Sequence, residues 1–245
     1  MQQFKSALCL FVATALFSST SFAYVLMKGE VAPAEAAPAP YNWSGFYAGL
    51  NIGMVKNTMY ITDTNATTFL ATIQQTLNPE VTGGLQVGYR RQVDFSSLSG
   101  VYGLEFSTNF SDARFNKEYG SPFALYQLSS SEQLDNVYLL EVIGGIAANR
   151  TFLFLAGGLS WVNLGGDVTS INGASFFNTF SVGKEVAGTA IGGGIEYAFT
   201  NAFSVRFKAD VITPNTYSTL DNLGDSFQVS NNIVQATFGI NYKFG

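Results

Sequence analysis

"YNWSGFYAGLNIG" occupies residues 41–53, and from Phe46 onward it alternates without a break. Phe46, Ala48, Leu50, Ile52 and Met54 fall on one side of an extended chain; Tyr47, Gly49, Asn51 and Gly53 fall on the other. Period-two alternation marks a strand with one apolar and one polar face. A water-soluble sheet buries the apolar face, whereas a membrane barrel turns it outward to lipid. Which face meets water decides the fold.

Composition favours lipid. Only 12% of the residues are charged, against roughly 25% in ordinary soluble domains. Phe (22) and Gly (25) are abundant. Downstream of the N-terminal segment, nothing approaches the ~18 continuous apolar residues of a transmembrane helix. The other architecture that satisfies every backbone polar group in lipid is a closed β-barrel.

The chain begins "MQQFKSALCLFVATALFSSTSFA", with one cation at Lys5, an apolar core over 7–17 and Ser21-Phe22-Ala23 as a small-x-small cleavage signal. Residues 1–23 therefore read as a secretory signal peptide. Leu8 before Cys9 does not suit lipoprotein processing. Cleavage leaves 222 residues (245 minus 23) without Cys or His, with 17 acidic and 11 basic side chains (12 minus Lys5). Residues 24–41, containing "VAPAEAAPAP", read as an extended periplasmic linker. Residues 42–245 are then the barrel. No basic run exists, so nucleic acid is excluded as a partner.

Eight alternating segments follow, near 45–55, 82–93, 101–110, 136–147, 151–162, 185–199, 203–211 and 233–244. The fourth and fifth are the least clean, because Val137, Leu139, Phe152 and Phe154 sit on their supposed inner faces. Short links join the second to the third, the fourth to the fifth and the sixth to the seventh: "DFSSLSG", "AN" with Arg150, and "TNA". The connections at 56–81, 111–135, 163–184 and 212–232 are long and rich in Asn, Thr, Ser and Asp. That asymmetry predicts an all-β, eight-stranded antiparallel transmembrane barrel with both termini in the periplasm and four exposed loops. Aromatic girdles agree: Phe46, Tyr89, Tyr102, Tyr197, Phe203, Tyr242 and Phe244 mark one interface, and Phe110, Tyr138 and Trp161 the other.

Charges of inward parity form the candidate site: Arg90, Glu105, Glu141, Glu196, Arg206 and Lys208. An eight-stranded barrel has an interior just wide enough for side chains to fill, and charges placed there need partners. Two readings stay open, a salt-bridged plug and a narrow, porin-like ion path. Glu196 and Arg206 are equally far from the centre of "TNA", so Glu196 is expected to pair with Arg206 or Lys208. Asp94 and Asp210 read as strand-end or lumen residues. With no His, the usual base for nucleophile activation and the commonest metal ligand are missing. No catalytic residue, metal site or cofactor is expected.

Three stretches, "YNWSGFYAGLNIG", "GTAIGGGIEYAFTNAFSVRFKADV" and "GINYKFG", resemble the small outer-membrane β-barrel family, the opacity-like and "porin-family" surface proteins of Gram-negative bacteria. The resemblance covers residue 42 to the C-terminus. It implies residence in outer-membrane lipid beside lipopolysaccharide and a surface role, with the loops as the place of any host contact. It also implies insertion by the barrel-assembly machinery, which would read the array Phe238, Ile240, Tyr242 and Phe244. Members of the family usually end on an aromatic residue, whereas here Gly245 follows Phe244.

Overall fold

A computed structural model describes residues 41–63, 73–76, 78–95, 98–120, 126–172, 176–181, 184–220 and 226–244. The signal segment, Gly245 and all of the linker except Tyr41 lie outside the described residues. The strands are β1 (Gly45–Asp63), β2 (Ile73–Thr76), β3 (Glu80–Asp94), β4 (Ser99–Gly120), β5 (Tyr126–Ala148), β6 (Thr151–Asn172), β7 (Phe176–Ser181), β8 (Lys184–Ala198), β9 (Phe203–Pro214), β10 (Tyr217–Leu220) and β11 (Ser226–Lys243).

Eight of them make a ring in the order β1, β3, β4, β5, β6, β8, β9, β11, and β11 closes on β1. Every pairing is antiparallel. Within that ring closure leaves no strand edge in the wall. The short β2, β7 and β10 add to β1, β6 and β11 at one end. That end, with the long connections, is the loop end; the other, with three short turns, is the turn end. Tyr41 and Phe244 lie at the turn end, where the Phe244 amide donates to the Phe46 carbonyl at 2.9 Å.

Closure staggers the strands. Register partners followed once round the wall run Tyr47, Gly88, Glu105, Glu141, Gly158, Ala190, Ile212, Ile233 and Asn57, ten residues beyond the start on β1. A shear of this size tilts the strands by about 35–45° from the axis.

The apolar face points out. Leu155, Ile191 and Phe46 are 74%, 68% and 66% exposed, while the inward Glu141 and Glu196 are 0% and 1% exposed. Aromatic rings gather outside the turn end, with Phe46 on Tyr89 at 4.8 Å and Tyr242 between Phe203 and Phe244, each at 5.1 Å. Tyr102 and Tyr197 are exposed at the same level, and Phe238 and Ile240 continue the outward row of β11. Towards the loop end, Tyr138 and Trp161 are register partners, with Phe110 exposed on β4. The turns are individually fastened. Asn149 takes a φ of 53°, a left-handed conformation that Asn tolerates. Arg150 reaches from that turn to Ala198 O at 3.2 Å and Asn201 Oδ1 at 3.0 Å. Asp94 is a strand-end residue, the last of β3, and accepts from Ser99 Oγ at 2.7 Å.

The strands run further than alternation predicts. Much of 111–135 is not loop, because β4 and β5 pair from Ala113–Leu134 out to Gly120–Gln127. β1, β6 and β11 likewise enter the intervals read as connections. Alternation reports a difference between two faces, and the polar stretch 111–135 carries no sustained apolar–polar alternation in its sequence. Register shifts between Phe110 and Ala113 and between Leu134 and Asn136 mark where this hairpin leaves the wall.

Replacing the outward Leu140 with Arg, near the middle of the lipid band, should cost about 2–4 kcal/mol. Replacing the inward Ser107 with Thr should cost about 1 kcal/mol or less. Reversible denaturant unfolding in lipid vesicles measures both, and the opposite ranking would overturn the assignment of faces.

Candidate functional site

Inward positions on a tilted wall reach one another across the lumen as well as along the ladder. All six charges of inward parity lie inside, each 5% exposed or less, together with Asp210. They form three levels. Nearest the turn end, Arg90 Nη2 lies 2.8 Å from Glu196 Oε2 and 3.9 Å from Glu105 Oε2. Glu196 Oε1 accepts from Ser204 Oγ at 2.5 Å and Asn241 Nδ2 at 3.0 Å. One level up, Glu105 Oε2 accepts from both Arg206 Nη1 and the Tyr47 hydroxyl. Above that, Lys208 Nζ donates to Glu141 Oε2 and lies 3.1 Å from Asp210 Oδ1.

The expected partner of Glu196 is corrected. Glu196 and Arg206 are register partners on β8 and β9, but the charge that meets Glu196 is Arg90. β3 stands four places from β8 in the eight-strand ring, and β4 stands four places from β9. Arg90–Glu196 and Arg206–Glu105 are therefore diametrical braces. Long side chains span a narrow lumen more easily than they fold back on their own ladder neighbour.

Aromatic faces and amides fill the space around the charges. The Arg90 guanidinium lies 3.9 Å from the Tyr47 ring centroid, with Phe152 at 5.4 Å and Trp43 at 5.9 Å. Arg206 lies over Phe154 at 4.4 Å. Contacts of this kind suit a desolvated cation. Asn51 donates to Gln86 at 2.8 Å, and Gln86 donates to Asn241 at 2.7 Å.

An apolar cluster lies on either side of this layer. At the turn end Tyr41, Trp43, Val101, Ile143, Ala147, Phe152, Phe154, Ala156 and Ala198 form one cluster. Trp43 packs between Tyr41 at 4.6 Å and Phe152 at 5.3 Å. The Trp43 amide donates to Gln92 Oε1 at 2.8 Å, and the Gln92 amide donates to Ser44 Oγ at 2.9 Å. Lys243 Nζ donates to the Asn42 carbonyl at 2.5 Å and lies 4.5 Å from the centre of the Tyr41 ring. Burial pushes the Tyr41 phenol up to about 12, with the charge of Glu196 adding to the effect. Towards the loop end Val55, Leu134, Val137, Leu139, Val162, Leu164, Val186, Ala190, Ile212 and Ile233 form a second cluster. Between the two, a cavity of about 10 Å³ remains beside Lys208, Asp210 and Gln235, room for about one water molecule.

These clusters explain the two irregular segments. Val137 and Leu139 belong to one cluster, Phe152 and Phe154 to the other. Sequence reading passed over Tyr41 and Trp43, placing Tyr41 in the linker. Both share the odd parity of the inward residues of β1, which was the available signal.

No family model matches this chain. It is 24% identical to the 31 kDa outer-membrane immunogenic protein of Brucella melitensis, over 98% of this chain and 100% of that one. Among solved structures, Neisserial surface protein A is 14% identical with a TM-score of 0.41, covering 82% of this chain and 98% of that one. The outer-membrane protease OmpT of Escherichia coli is 9% identical with a TM-score of 0.46, covering 82% and 97%. With its lipid-facing exterior and its likeness to a named outer-membrane protein, the chain is an outer-membrane β-barrel.

Removing either Arg90 or Glu196 alone should destabilise the barrel by roughly 3–5 kcal/mol, because the other charge is left buried and unpaired. A double-mutant cycle on denaturant unfolding should show strong coupling between them and weaker coupling between Glu196 and Arg206. Stronger coupling within the ladder pair would refute the cross-lumen arrangement.

Proposed function

We propose that the protein is a closed, non-conducting barrel whose work is done by the surface it presents rather than by anything that passes through it. The observation that carries this reading is the layered lumen, with charged braces between two apolar clusters. An ion on this route would have to enter an apolar cluster unhydrated, which is prohibitively costly. The alternative reading is a narrow porin-like channel.

The turn end, with Tyr41 and Phe244, faces the periplasm in this proposal. Export by a signal peptide over 1–23 and a linker over 24–40 delivers the chain to that side. The loop end faces outward and carries four connections, stiffened where β4–β5 continues beyond the wall and where β2, β7 and β10 add strands. A surface of extended hairpins on a rigid base suits contact with lipopolysaccharide, other envelope components or a host surface. The outward array of Phe238, Ile240, Tyr242 and Phe244 serves as the recognition element for the barrel-assembly machinery.

The role is non-enzymatic. OmpT is a protease by name, but no His is present in the 245 residues here to act as a general base. The lumen carboxylates are each 2% exposed or less, beyond the reach of a substrate.

Refolded protein in a planar lipid bilayer should show no steady conductance at neutral pH. A stable open level that falls on Glu196→Gln would reject closure and establish the channel. The two tryptophans give an independent readout. In a Trp161→Phe variant, the emission of Trp43 should resist both aqueous acrylamide and brominated lipid chains. In a Trp43→Phe variant, Trp161 should be quenched by the lipid. Ready quenching of Trp43 by acrylamide would show an open turn end.

A further inference from the structure

Seven acidic and basic side chains are buried among the described residues, and they do not balance. Arg90, Arg206 and Lys208 supply three positive charges; Glu105, Glu141, Glu196 and Asp210 supply four carboxyl groups. An uncompensated carboxylate in a closed lumen surrounded by lipid would be very costly.

The geometry locates the excess. Glu105 is served by Arg206, by the Tyr47 hydroxyl and more distantly by Arg90 and Lys208. Glu196 has Arg90, Ser204 and Asn241. Glu141 and Asp210 share a single cation, Lys208. Glu141 is 0% exposed and Asp210 1%, and among the described residues neither Glu141 Oε1 nor Asp210 Oδ2 has a hydrogen-bond partner. Asp210 also borders the small cavity, and Gly192 gives it space, since a side chain there would strike the Asp210 carboxylate.

We propose that Glu141 and Asp210 form one proton-binding site, holding a single proton at neutral pH while Lys208 neutralises the carboxylate that remains. The groups facing the pair are Lys208 and Arg206 of β9, Glu105 of β4, and the neutral Gln235 and Thr237 of β11. With one carboxyl group neutral, three cations meet three carboxylates and the lumen carries no net charge. Beyond the plug reading, this assigns the lumen a ligand, the proton, which it releases in alkali at the expense of a buried negative charge.

The proposal rests on the closed lumen, and a different measurement tests it. Infrared spectra of the refolded parent at neutral pH should contain the carbonyl stretch of a protonated carboxylic acid, distinct from the carboxylate bands. Asp210→Asn and Glu141→Gln should each abolish that band, because each leaves three carboxylates for three cations. Asp94→Asn, at an exposed strand end, should leave it in place. Heat-dependent mobility on gels establishes that each variant is folded, and either folded variant suffices. No such band in the parent, or its survival in a folded Asp210→Asn or Glu141→Gln protein, overturns the site. A conducting barrel would refute closure whatever the spectrum shows.

Discussion

The hydrogen bonds between β11 and β1 close the sheet with a stagger of ten residues, and the interior follows from that closure. Without it the wall would have two edges in lipid, each unpaired backbone group costing several kcal/mol. With it, positions far apart in the chain come to one height on opposite sides of a narrow lumen. Arg90 meets Glu196 and Arg206 meets Glu105 for this reason. Ionic braces of this kind are costly to bury and costly to break. Their contribution is to fix one arrangement of the interior, because a slipped register would leave several charges without partners.

Small residues make room for the braces. A side chain at Gly88 would strike the Tyr47 ring, which lies beneath Arg90. A side chain at Gly194 would meet the Phe154 ring and the wall at Lys208. The glycine-rich inner faces therefore complement the large side chains opposite them. The result is a packed core turned inside a membrane protein, polar in its middle and apolar at its ends.

The segment before β1 completes the closure. Gly45 has a φ of 132°, open to glycine and strained for other residues, and it joins the strand to Tyr41–Ser44 in the turn-end mouth. Trp43 and Tyr47, on either side of it, both contribute rings around Arg90. The opening stretch of the sequence is thus a strand start, a part of the turn-end apolar cluster and a wall of the charge site together.

The sequence by itself determined that there are eight lipid-crossing strands, which face of each is apolar, where the interfacial rings lie and which charges point inward. Those properties are local, written in parity and in the contrast between two faces. It did not determine how far the strands run, since β4 and β5 extend into a polar stretch whose sequence carries no sustained alternation. Nor did it determine that Tyr41 joins the turn-end apolar cluster or that Asp210 joins the charge site through Lys208. Above all, it could not choose among inward charges. Parity says that Glu196 points in, and the turn says that Arg206 lies beside it on the ladder. Only the stagger of the closed ring sets the height of Arg90 on the far wall, and that height decides the pair.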